Sequence, residues 1–131
     1  MAGKFDNMDE SYAPCIEVLG KEIMHHQSRL GGNMAVALAI FSKKQRQALR
    51  ETIGPNLVTF VLNMTKEAAK KRLMERHGGS LPEETLDMLN KIHDFHELAD
   101  EDEENTFNLT ITEDMSPQDV LEQAKEILAK L

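Results

Sequence analysis

Residues 34–41 (MAVALAIF) and 57–62 (LVTFVL) decide how this chain is expected to fold. The first run is apolar without interruption and the second nearly so, and neither contains Gly or Pro. Each is short and bounded by turn residues, Gly31-Gly32 ahead of the first and Gly54-Pro55 ahead of the second. Such runs predict strands buried on both faces of a parallel sheet. Between them, Ser42 is placed to cap a helix carrying Arg46, Leu49, Arg50 and Ile53, which Gly54-Pro55 ends.

Upstream, residues 1–10 are polar and unpatterned and read as a loose arm. From Ser11, spacings of three and four place Tyr12, Cys15, Ile16, Leu19, Ile23 and Leu30 on one helix face that stops at Gly31-Gly32. In that stripe Cys15 reads as a buried, inert thiol. Downstream, Thr65 caps a helix through about Arg76, with Ala68, Ala69 and Leu73 inward, and Gly78-Gly79 ends it. Ser80-Leu81-Pro82-Glu83 is a capping box ahead of Leu86, Leu89, Ile92 and Phe95. After an acidic loop at 100–104, Phe107, Leu109 and Ile111 alternate with Asn108 and Thr110, which predicts an edge strand exposed on one face. Ser116-Pro117 opens a last helix striped with Val120, Leu121, Ala124, Ile127, Leu128 and Leu131. The expected fold is α/β: a mostly parallel three-stranded sheet with flanking helices, forming a single domain over residues 11–131.

Composition bounds the function. With 131 residues, 40% hydrophobic and 5% aromatic, the chain supports one modest aliphatic core. Its 15 Lys+Arg against 23 Asp+Glu give a net charge of −8, which argues against nucleic acid as the main partner. A single cysteine excludes a disulfide framework and a cysteine-built zinc site. No apolar stretch approaches the roughly 20 residues of a membrane span, and no signal-peptide core is visible. A cytoplasmic protein without membrane partners is expected.

The charge is unevenly placed. Nine of the 15 basic residues lie between Lys43 and Arg76, opposed only by Glu51, Glu67 and Glu75. Both basic clusters are expected on helices that directly follow buried strands, and in open α/β sheets ligands bind outside the carboxyl ends of the strands. Arg46 with Arg50, and Arg72 with Arg76, each one turn apart, are therefore the candidate anion-binding residues, the planar guanidinium being suited to phosphate. For any single one of them a solvated helix face is the plainer reading.

Metal readings are weaker. His93 and His96 are three apart near Asp94, Glu97 and Asp100, yet no third ligand stands out, and a half-exposed helix surface accounts for them. The acidic loop lacks the glycine and terminal glutamate of an EF-hand, so a calcium- or metal-binding protein is only a third reading. No G-x-x-x-x-G-K-[ST] phosphate loop and no catalytic triad pattern occurs in the sequence.

Three stretches carry a family resemblance. AIFSKKQRQALRETIGPNLVTFVLNM, KKRLMERHGG and HELADEDEENTFNLTITEDMSPQDVLEQAKEIL together resemble the C-terminal two-thirds of the small-molecule kinases of the P-loop superfamily, gluconate kinase and shikimate kinase being the nearest types. The resemblance covers residues 12–131. It implies that Arg46 and Arg50 are substrate-side arginines and that Arg72 and Arg76 lie in the lid segment that closes over the transferred phosphate. The family's opening strand, phosphate loop, helix and second strand have no counterpart here. The family's proline before the last strand falls at Leu98 or Ala99, and the histidine after its lid arginine falls at Gly79.

In that family the absent first strand lies between the two buried ones. Its loss leaves a gap of about 9.6 Å with unpaired backbone on both sides. The expectation is a homo-oligomer, or strand exchange, at an incomplete sheet. Two functional readings follow: a kinase-like protein that keeps a phosphate-binding surface for a small anionic ligand but cannot transfer phosphate alone, and a non-catalytic self-associating or protein-interaction module. ATP and magnesium are implied as cofactors only if a phosphate-loop segment is supplied.

Overall fold

The structure, a computed structural model, describes residues 8–40 and 42–131, with the side chains of residues 8–12 left aside. Most of the expected arm, and Phe41, lie outside the described residues. Among the described residues the elements run α1 (Met8–Leu30), α2 (Lys43–Ile53), β1 (Thr59–Met64), α3 (Lys66–Arg76), α4 (Glu83–Phe95), β2 (Thr106–Ile111) and α5 (Pro117–Ala129). They fall into two compact units. One holds the residues up to Leu57 together with Phe95–Glu97; the other holds Val58–Asp94 and Leu98–Leu131.

The second unit is a mixed α/β arrangement on a two-stranded parallel sheet. β1 and β2 pair from Thr59↔Thr106 to Met64↔Ile111. Asn105, at φ 47, turns the chain into β2, and its carbonyl accepts from the Thr59 amide at 2.9 Å. That bond starts the ladder, so β1 begins and ends two residues later than the apolar run suggested. On β2, Leu109 and Ile111 are buried while Asn108 and Thr110 are exposed, the alternation that the sequence predicted. The exposed Asn108 is not idle: its side chain accepts from the Ala99 amide at 2.8 Å and donates to the Ala99 carbonyl at 3.1 Å, tying the preceding loop to the strand.

β1 departs from expectation. Val61 is buried at 5% exposure, yet Leu62 beside it is 51% exposed, so the strand is not covered on both faces. Among the described residues its ladder has one neighbour, β2.

Among the described residues the sheet has two strands where three were predicted. Residues 33–40 form no regular element, and Met34, Val36 and Leu38 are 38%, 47% and 36% exposed. Among the described residues no hydrogen bond to their backbone occurs outside helices and strands. The physical reason is that an apolar run supplies side chains to bury but no partner for its own N–H and C=O groups. Without a neighbouring strand it stays a solvated segment outside regular structure.

In the first unit α1 packs on α2. Gly20 makes the approach possible: a Cβ there would lie 2.7 Å from the Thr52 Cγ2. Ile16, one turn before Gly20, and Leu49 of α2 are buried at the contact. This choice of face rotates Cys15 outward, so the expected buried thiol is corrected to an exposed one.

Helix starts follow local chemistry. Ser42 and Gln45 cap α2 reciprocally, at 3.1 and 3.2 Å, and Ser116 with Asp119 does the same for α5. Thr65 Oγ1 accepts from the Ala68 amide at 3.1 Å, while the Thr65 amide donates to the Ile111 carbonyl, fastening the start of α3 to the end of β2. No helix among the described residues is long and apolar enough to cross a membrane.

Candidate functional site

The end of β1 is where the sequence places a binding helix, and α3 begins there after one capping residue, Thr65. α3 carries Lys66, Lys70, Lys71, Arg72 and Arg76 against Glu67 and Glu75. Ala68 is 1% exposed and anchors the helix, leaving the long cationic side chains around its outer faces. Arg72 is half-buried and Arg76 exposed, one turn apart. Lys71 Nζ reaches the Glu113 carbonyl at 3.5 Å, which holds that ammonium near the segment leaving β2. Lys66 lies 4.0 Å from Asp94 in an exposed pair, a contact of the kind that adds little rigidity.

A shallow open depression of about 360 Å³ runs along α3, lined by Glu67, Lys70, Lys71, Met74, Glu75 and Gly79. Its cations are the two lysines, which the sequence marked only as part of a basic cluster and not as site residues. They are the fifth and sixth residues of α3, a spacing that by itself marks no site.

The α2 pair is placed differently. Arg46 is 6% exposed, and its Nη1 donates to the Glu97 carbonyl at 2.7 Å. Arg50 Nη1 donates to the Leu57 carbonyl at 3.2 Å. Both guanidinium groups therefore hold main chain, Arg46 fastening residues 95–97 to α2 and Arg50 fastening the turn that follows it. Such hydrogen bonds from a charged donor are strong. The structure brings Arg46 and Arg50 together on α2, and Arg72 and Arg76 together on α3. The α2 helix follows the exposed segment 33–40, not a strand, so the expected strand–helix setting is present at α3 alone.

The acidic loop closes on itself. The Asp100 amide donates to Glu103 Oε2 at 2.8 Å, and the Glu103 amide donates to the Asp100 carbonyl at 3.2 Å. His93 lies in the last turn of α4 and His96 just past its end. Among the described residues no group of three or more His, Cys, Asp or Glu side chains could hold a metal ion.

Comparison with protein-family models, with curated proteins and with solved structures finds no match to this chain.

Proposed function

We propose that this chain is a P-loop small-molecule kinase-like protein without a Walker A loop, of the gluconate or shikimate kinase type, that retains a surface for a small phosphorylated or anionic ligand. The observation that carries the reading is the β1–Thr65–α3 passage. A strand of a parallel pair runs directly into a helix bearing five cations and two carboxylates. Parallel sheets bind ligands beyond their carboxyl ends, and the helix that starts there contributes the positive end of its dipole as well as its side chains. Arg72 and Arg76 supply bidentate donors to phosphate oxygens, and Lys70 supplies mobile charge on the same helix.

Phosphoryl transfer needs a group that positions the triphosphate and its magnesium. The sequence holds no phosphate loop, so the chain by itself binds and does not transfer. Thermal melting tests this. ATP, or the phosphate ester of gluconate or shikimate, at millimolar concentration raises the melting temperature, because a ligand selective for the folded state stabilises it by mass action. The double variant Arg72→Ala/Arg76→Ala loses that rise. An unchanged melting temperature with every one of these ligands defeats the reading.

A second reading, a self-associating interaction module, is favoured by two observations. The apolar run 34–40 is exposed, and the outer edge of β1 has no neighbour among the described residues.

A further inference from the structure

The segment 34–40 (MAVALAI) has a size pattern that reads the same in both directions. Large side chains stand at Met34, Val36, Leu38 and Ile40, and alanines at 35, 37 and 39. In an extended chain alternate residues share a face, so one face is large and apolar and the other is all methyl. Two copies laid antiparallel about Ala37 match throughout. Met34 then opposes Ile40, Val36 opposes Leu38, Ala35 opposes Ala39, and Ala37 opposes itself.

We propose that residues 34–40 are a homodimerisation strand, pairing antiparallel with the same segment of a second copy about a two-fold axis at Ala37. Three features of the molecule support a second copy as the occupant. The backbone of the segment forms no ladder and no turn among the described residues, so its donors and acceptors are open to a partner. It bears no charge, Gly or Pro, so nothing on it blocks edge-to-edge pairing. The palindromic register gives an isologous contact, in which both copies use the same residues. At roughly 50 Å² for each half-exposed large side chain, the pair buries several hundred Å², less than the roughly 1,200 Å² at which stable specific interfaces begin. The dimer is accordingly weak and concentration-dependent. The inference is independent of anion binding at α3, since it uses none of the same residues.

Disulfide trapping tests the register. With Cys15→Ser as background, Ala37→Cys places two thiols directly opposite, at the 4.5 to 5.5 Å Cα separation of an antiparallel pair, which a disulfide spans. Ala35→Cys places them roughly 13 Å apart along the strands. Under mild oxidation the Ala37→Cys protein is expected to give at least tenfold more covalent dimer than Ala35→Cys at equal concentration. Sedimentation of the unmodified chain is expected to show dimer growing between about 10 and 500 µM, and Val36→Pro is expected to remove it. Equal crosslinking at both positions, a chain that stays monomeric throughout, a dimer that survives Val36→Pro, or open-ended aggregates each overturn the proposal.

Discussion

Residues 34–40 and 57–62 begin as equivalents, two short apolar runs without Gly or Pro, and end in opposite states. The second meets 106–111 in parallel register and becomes β1. The first meets no ladder within the described residues and remains exposed. A strand is therefore a property of a pair. Apolar composition says that a segment gains by being covered, whereas the hydrogen-bond inventory says whether it can be.

The contrast is sharpest under truncation. Ile111, 2% exposed on β2, is expected to cost about 2–5 kcal/mol when changed to Ala, since deleting a buried side chain loses its transfer energy and leaves a cavity. A urea midpoint measures it, and a loss below 1 kcal/mol would mean that the β1–β2 pair is not a core. Next come the arginines. Arg46→Ala is expected to cost about 1.5–3 kcal/mol, because the part-buried hydrogen bond from a charged donor to the Glu97 carbonyl is lost. Arg76→Ala on the exposed face of α3 is expected to stay within about 0.5 kcal/mol. Equal costs would erase the distinction between arginines that hold main chain and arginines that face solvent. Smallest is Leu38→Ala in the unpaired run. In dilute solution it is expected to change stability by less than about 0.5 kcal/mol, and a loss as large as that of Ile111→Ala would mean that the segment is covered within one copy.

Much of the local structure was legible in the sequence because its causes lie within four residues. Ser42, Thr65 and Ser116 announce their helices, and each accepts from the third residue of the helix that follows. The Asn108 and Thr110 alternation likewise announces a half-exposed strand. What was not legible depends on distant partners. The sequence of 34–41 contains no record of whether another strand lies alongside it. Cys15 sits in an acceptable apolar stripe, but the close approach of Thr52 to Gly20 selects a neighbouring face.

The candidate site divides in the same way. One-turn spacing marks Arg46–Arg50 and Arg72–Arg76 identically as anion forks. The carbonyls of Glu97 and Leu57, which lie 51 and 7 residues away from their donors, mark the first pair off from the second. Lys70 and Lys71 escaped notice as site residues for the opposite reason. Nothing in their spacing is special, and it is the depression along α3 that singles them out.

The account rests on α3 being a binding helix, and amide chemical-shift mapping tests that most directly. Titration with ATP, a ligand long enough to span the roughly 15 Å from the start of α3 to Arg76, is expected to move the amides of residues 64–68, where the end of β1 meets the start of α3, and the side-chain signals of Arg72 and Arg76. The amides of residues 34–40 are expected to stay still at the same dilute concentration. Shifts spread evenly over the basic residues of the chain, or none at 64–68, would contradict a phosphate-binding surface at this place in the fold.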